Sequence, residues 1–409
     1  MANSLHLPRN SHYSIRNTQL VSLRSHLAPT SLIPIGLDIV RAEGCYLYDK
    51  VGKKYLDLIS GISVSNLGHG YPKITEAIKH QVDQHLHLMV WGEYVQAPQV
   101  VFAKNLIAQL PNSLDCVYFT NSGTEATEGA MKLAKRVTGR HEIIGCFNAY
   151  HGSSQGALSI AGDEWLKNAF RPLIPGTRQI RYNHIADLEY ITQHTAAVFI
   201  EPIQGEAGAL VPGNGYLAAL RKKCNETGTL LVFDEIQTGF GRTGKLFCFQ
   251  HSGVVPDILM LGKALGGGMP LGAFIANQDL MNSLAHDPVL GHITTFGGHP
   301  VSCAAGNAAL EVLLESDLIE KVAEKEASFH RQLIHKKIMA IHGQGLLLAI
   351  EVADFEEVQQ TIKYCLGLGL VTDWFLFNTH CIRLAPPLTI SEEEIAWACE
   401  TIKKALDSF

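Results

Sequence analysis

Six short apolar runs recur through the middle of this 409-residue chain, at 113–119, 142–147, 179–182, 196–200, 230–233 and 258–261. Helical patterns lie between them, for example at 124–138, 185–193 and 215–227. Strands that are apolar throughout, and not only at every second residue, are buried on both faces, as in parallel sheets. Strands alternating with helices therefore predict an α/β fold with a mostly parallel, doubly wound sheet. After about Pro300 the rhythm changes. Two helices, at 301–315 and 318–335, lead into strands at 346–352, 369–375 and 381–384 and a last helix at 391–408, a smaller α+β unit. Segments 45–49 and 54–57 look like a hairpin that joins this unit. The expected division is an N-terminal arm and part of the small domain at 1–59, a large domain at 60–300, and the rest of the small domain at 301–409.

Composition narrows the classes. The hydrophobic share, 46%, is enough for a large core, and a net charge of −6 shows no basic footprint for nucleic acid or an anionic membrane. No apolar stretch approaches the ~18 residues of a membrane helix. Nine cysteines are scattered without a CxxC, which points to free thiols in a reducing compartment, the cytoplasm. No HExxH or Cys/His cluster suggests a metal. Residues 1–37 hold Arg9, Arg16 and Arg24 but no acid. That mimics an organellar leader; an arm packed on the body or on a partner subunit is the simpler expectation.

In open α/β sheets, ligands sit outside the carboxyl ends of the strands. Ser122-Gly123-Thr124 follows the first run and opens a helix. Its free N–H groups suit a phosphate, although Ser122 and Glu125 also fit a plain capping box. Glu201 and Glu206 follow another run among small residues and suggest a polar wall; a solvated loop is the alternative. Asp234 ends an apolar strand, either as a turn former or as a buried carboxylate awaiting a cation. Lys263 is the one charged residue in MLGKALGGGMPLGAF, residues 260–274. A lysine desolvated there has a lowered pKa and a nucleophilic amine, whereas a snorkelling lysine would keep its charge in water. A phosphate cradle, an acid for a ring nitrogen and a reactive lysine are together what pyridoxal 5'-phosphate requires of a protein. The literal GxGxxG at Gly239–Gly244 raises an NAD-dependent dehydrogenase as a rival. It lacks the strand before it and the acid ending the next strand.

The motifs NSGTEATEGAMKLAKR, AYHGSSQGALS, FIEPIQGEAGALVP, LLVFDEIQTGFGRTG, LMLGKALGGGMPLGAF, TTFGGHPVSCAAG and IRLAPPL resemble those of the class III (omega-type) aminotransferases of pyridoxal-phosphate fold type I. The resemblance runs from about Gly44 to the C-terminus, and the acetylornithine and ornithine aminotransferases look nearest. It implies that Ser122, Gly123 and Thr124 hold the cofactor phosphate and that Tyr150, followed by His151, stacks on the ring. It implies that Asp234 pairs with the ring nitrogen, that Gln237 lies near the phenolic oxygen, and that Glu201 belongs to the cofactor's surroundings. Lys263 would be the Schiff-base lysine, and Thr295 would reach the phosphate of a partner subunit in a homodimer. Glu206 and Arg383 match a pair in which the glutamate neutralises the arginine for an amine substrate and releases it for the carboxylate of glutamate. Substrates would be an amino donor and 2-oxoglutarate. A same-fold aminomutase or decarboxylase is the nearer rival, and the Glu206/Arg383 pair speaks for transamination.

This chain departs from the pattern at the substrate. The arginine that clamps the distal carboxylate in ornithine-type enzymes is Ser153 here, and Leu32 and Ile62 stand where aromatic residues are expected. That predicts a more apolar pocket, with Trp91 and Tyr94 either on its wall or packed as core aromatics. Tyr71 and His299 also depart from the family, with no consequence that can be derived.

Overall fold

All six apolar runs seed strands. The computed structural model describes residues 26–28, 30–31 and 34–409. Strands β1 (Ile39–Glu43), β2 (Tyr46–Asp49) and β3 (Lys54–Asp57) form the expected antiparallel hairpin with one further strand before it. The central sheet follows with β4 (Cys116–Thr120), β5 (Glu142–Cys146), β6 (Thr177–Ile180), β7 (Thr195–Ile200), β8 (Leu230–Asp234), β9 (Ile258–Leu261) and β10 (Gly272–Ala276). Its order is β4-β10-β9-β8-β7-β5-β6. Strands β5 to β9 pair in parallel, and β10 runs antiparallel to both β4 and β9. Every residue of β7, β9 and β10 is buried, as the unbroken apolar runs require.

The smaller unit holds β11 (Ala340–Gln344), β12 (Leu347–Glu351) and β14 (Cys381–Leu384) in an antiparallel sheet. Strand β13 (Leu370–Val371) leaves it and pairs in parallel with β3, so the N-terminal hairpin does join the C-terminal segment. The expected strand at 369–375 is only two residues long. Beyond it the chain turns inward, with Thr372 Oγ1 donating to the Arg383 carbonyl. The helix expected at 185–193 is a short 3-10 turn, Ile185–Tyr190. The long helix Gly123–Thr138 packs across β9 and β10.

All nine cysteines are unpaired. Among the described residues, no helix is long and apolar enough to cross a membrane, and no group of His, Cys, Asp or Glu is placed to hold a metal ion. The expectations for Leu32 and for Arg9, Arg16 and Arg24 fall on positions outside the described residues.

Candidate active site

Because β10 is antiparallel to both neighbours, β4 points the same way as β9 and the rest of the parallel set. The carboxyl ends of β4, β5, β7, β8 and β9 therefore share one edge of the sheet. Ser122–Thr124, Tyr150–His151, Glu201, Asp234 and Lys263 all lie at that edge, each at or just past its strand.

At the first strand end, Ser122 caps the helix Gly123–Thr138 by accepting from Glu125 N. A Cβ at Gly123 would lie 2.8 Å from the Ile236 side chain, so this position has no room for a larger residue. Ile236 also sits against Gly262, so it wedges between the first strand end and the lysine's strand end. Thr124 Oγ1 and Ser154 Oγ are 2.6 Å apart, and Ser154 donates to Glu128, which tethers the 150–154 loop to the helix N-terminus.

Behind this cradle lies a buried relay. His151 Nδ1 meets Asp234 Oδ2 at 2.7 Å, and Asp234 Oδ1 accepts from Ile236 N. Burial alone would lower the His151 pKa, but the Asp234 carboxylate outweighs it and the net shift is upward. Glu201 accepts from Tyr150 N and Gly205 N, and burial pushes its carboxyl up to about 8. It buttresses the Tyr150 backbone and is not among the residues that line the cavity with Lys263. Among the buried side-chain atoms that have no partner among the described residues are His151 Nε2 and Gln237 Nε2. Buried polar atoms are nearly always satisfied, so each has room for a ligand atom or a water. Gln237 needs a glycine beside it, since a Cβ at Gly205 would fall 2.1 Å from its Oε1. These features fit the residue set that pyridoxal phosphate requires.

Lys263 lies on the far side of Asp234's strand, in the left-handed region at φ +49°. A lysine held there carries roughly 1–3 kcal/mol of backbone strain, a cost that concentrates at functional sites. It opens onto a cavity of about 620 Å³ and is half-buried, with protein packed closely around its amine. Burial lowers its pKa; Glu206, Asp234 and Glu201 pull it upward, and Arg383 pushes it down. Tyr150, Glu206 and Arg383 line the same cavity. Ile62 does too.

Arg383 is almost fully buried and doubly clamped. Its Nη1 and Nη2 donate to the two Glu206 oxygens at 3.0 and 2.9 Å, and its Nε donates to Asp373 at 2.8 Å. Burial opposes the guanidinium charge, yet the two carboxylates win and raise its pKa. Burial would likewise raise the Glu206 carboxyl, but Arg383 holds it below its ordinary value. Asp373, Trp374 and Leu376, which also line the cavity, were not found from the sequence.

Of the residues expected around the substrate, Trp91, Tyr94 and Ser153 are not in the lining of this cavity, and neither is Thr295, which was expected at a partner's phosphate. Trp91 packs into the core against Tyr118 and Phe119, its ring also filling the space above Gly298. Ser153 is exposed beside the rim, its Oγ 2.9 Å from the Tyr150 hydroxyl. Thr295 is exposed between Phe296 and Thr294, whose Oγ1 accepts from Asn121 Nδ2 beside the Ser122–Thr124 turn. The Gly239–Gly244 run forms turns and opens no helix, only the four-residue Phe249–Ser252 after it. A pyrophosphate would have no helix N-terminus there, so the dehydrogenase reading ends.

The aminotransferase class-III family matches residues 28–406. This chain belongs to that family. It is 38% identical over 385 residues to the acetylornithine aminotransferase of Methanopyrus kandleri, covering 93% of this chain and 96% of the relative. It is 40% identical to that of Methanocaldococcus jannaschii, covering 90% and 93%. Among solved structures, the ornithine aminotransferase of Toxoplasma gondii aligns with a TM-score of 0.88 at 31% identity, over 95% of this chain and 93% of that one. That structure holds pyridoxal phosphate at partial occupancy in its active site. The chain is a fold-type I transaminase of the acetylornithine/ornithine type, with pyridoxal 5'-phosphate as cofactor, and it exchanges an amino group between an amino donor and a 2-oxo acid.

Proposed function

We propose that this transaminase uses 2-oxoglutarate as acceptor and an ω-amino compound, of the kind its acetylornithine and ornithine relatives are named for, as donor. The observation that carries this is the bidentate Glu206–Arg383 pair facing the same cavity as Lys263. Bound there, the cofactor supplies a ring that takes up negative charge from the donor's carbon. Ser122–Thr124 would hold its phosphate, Tyr150 its ring face, Asp234 its ring nitrogen and Gln237 Nε2 its ring oxygen.

The chain's own residues do the rest. Asp234, oriented by His151 Nδ1, keeps a negative charge fixed where a protonated ring nitrogen needs one. The Lys263 amine, with its pKa lowered by burial, reaches the neutral form more easily than a free lysine and can take a proton at Nζ and return it. While Glu206 holds Arg383, the cavity offers a donor no free cation. When Glu206 turns away, Arg383 Nη1 and Nη2 are free for an acceptor carboxylate. Ser153 is a short neutral hydroxyl and cannot make a bidentate clamp. Among the described residues, the donor's distal end therefore meets Pro34, Ile35, Ile62, Trp374 and Leu376 and no second arginine.

The test is an absorbance titration of the cofactor-loaded protein with single amines and amino acids. A visible band bleached by N-acetylornithine or ornithine and restored by 2-oxoglutarate is the expected result. A band that only donors of another class bleach, or that 2-oxoglutarate does not restore, would overturn the assignment.

We also infer a homodimer whose active sites lie at the subunit interface. The support is an exposed apolar surface around Thr295, formed by Val289, Leu290, Ile293 and Phe296 and continued by Leu86, Leu88 and Met89 through the His87–Phe296 ring contact at 4.8 Å. Sedimentation should give the mass of two chains, and a fully active monomer would refute the dimer.

A further inference from the structure

We propose that Asp373 is a second carboxylate on Arg383 that keeps this site's hold on anionic substrates weak; the inference rests on Arg383 being the residue that takes the acceptor's carboxylate. A guanidinium has five N–H donors. In Arg383, Nε serves Asp373, one Nη1 hydrogen serves Glu206, and Nη2 serves both Glu206 and the Trp374 carbonyl.

The two carboxylates are held differently. Glu206 Oε2 is steadied by Leu376 N, and the pair lies on the Nη edge that faces an incoming carboxylate. Asp373 sits on the Nε edge, and its backbone carbonyl accepts from Arg383 N at 2.9 Å. The Arg383 guanidinium also lies over the Phe375 ring, 4.3 Å from its centroid. The segment from Thr372 to Phe377 thus meets Arg383 through the Asp373 carboxylate, the Trp374 carbonyl and the Phe375 ring. The Glu206 side chain can leave by giving up its bond to Leu376 N, whereas Asp373 is part of the segment that holds the arginine.

The charge count follows from this. Lys263, Arg383, Glu206 and Asp373 all line the cavity. Two cations and two carboxylates cancel when all are ionised. Once Glu206 swings out, an acceptor meets Lys263 and an Arg383–Asp373 pair, a net charge of +1 where Lys263 and an uncompensated Arg383 would make +2. Asp373 thus removes part of the electrostatic gain an acceptor carboxylate would otherwise have. Neutral and cationic donors lose nothing by this. Asp373 is therefore a positioning residue that also sets specificity, favouring amines over acids in one shared cavity.

The experiment is calorimetric titration of the holoenzyme with glutarate, a dicarboxylate without a keto group, alongside the KM for 2-oxoglutarate. Asp373→Asn keeps an oxygen for the Nε hydrogen and removes the charge. We expect glutarate to bind about tenfold tighter, the order expected from removing one like charge near a partly screened ligand, and the 2-oxoglutarate KM to fall in step. Asp373→Ser is the second variant should the first fail to fold, and Asp373→Glu should restore the weak binding. A merely structural role predicts looser binding, so unchanged or weaker glutarate binding overturns the proposal. Arg383→Met is run in parallel. If it loses glutarate binding while Asp373→Asn gains none, only the role of Asp373 falls. If Arg383→Met binds glutarate like the parent, the reading of Arg383 fails and the proposal falls with it.

Discussion

Replacing Lys263 with alanine should cut the donor half-reaction by about four orders of magnitude, the upper range for losing a positioned proton carrier. The visible band of covalently held cofactor should vanish with it. The reason lies in how isolated the amine is. Among the described residues no second lysine lines the cavity, and the charged groups acting on the amine are the Glu206, Asp234 and Glu201 carboxyls and Arg383, whose guanidinium cannot give up a proton at neutral pH. The fold should survive. Alanine keeps a side chain at φ +49°, so the local strain is the same before and after. A desolvated ammonium is removed from a site where burial already disfavours it. Stopped-flow absorbance with a competent donor measures the rate, and a melting curve checks the fold. A folded Lys263→Ala variant turning over at the parental rate would show that another group carries the proton.

Lys263 and Asp234 were legible for physical reasons that act locally, whereas Tyr150 and Arg383 came only through the family resemblance. A parallel strand buried on both faces must be apolar to its end, so a lone Asp or Lys at that end stands out. Strand β10 was hidden because its five residues follow a glycine-rich turn and read as its tail. Trp91 was misplaced because an aromatic residue near a site carries no sign of which way its ring points. Asp373, Trp374 and Leu376 had no motif at all. They reach the cavity because β13 pairs with β3 and the chain then turns toward Arg383, a consequence of contacts between distant parts of the sequence. The Ser60–Ser63 segment is the clearest case. Its four residues hold φ of +47°, +65°, +62° and +61°, a left-handed turn with only one glycine in it. A left-handed conformation costs roughly 1–2 kcal/mol for each non-glycine residue, so local propensity argues against it.

What holds that turn is tertiary, and Arg242 is its centre. Replacing Arg242 with methionine should destabilise the protein by about 3–5 kcal/mol and raise the donor KM. Arg242 is fully buried, and its hydrogen-bond acceptors are all neutral: the Leu346 and Pro386 carbonyls, Asn66 Oδ1 and Ser60 Oγ. Burial pulls its pKa down to about 9, with Asp57 pulling the other way. Those acceptors come from three segments, the strained turn, the entry to β12 and the exit from β14. Methionine fills a similar volume but leaves two or three buried oxygens without a donor, at about 1–3 kcal/mol each. Asp57 Oδ1 still accepts from Ile59 N and Ser60 N, so the turn keeps one anchor and the variant should fold. Ser60, however, is next to Gly61 and Ile62, which line the cavity mouth. Freed from Arg242, the turn can relax toward the right-handed region and withdraw Ile62 from the donor's apolar wall. Thermal unfolding should drop by on the order of 5 °C for a chain of this size, with the donor KM rising more than the acceptor KM. If the Arg242→Met variant melted within about 1 °C of the parent and kept its donor KM, Asp57 alone would be enough to hold the turn, and Arg242 would have no part in shaping the substrate face.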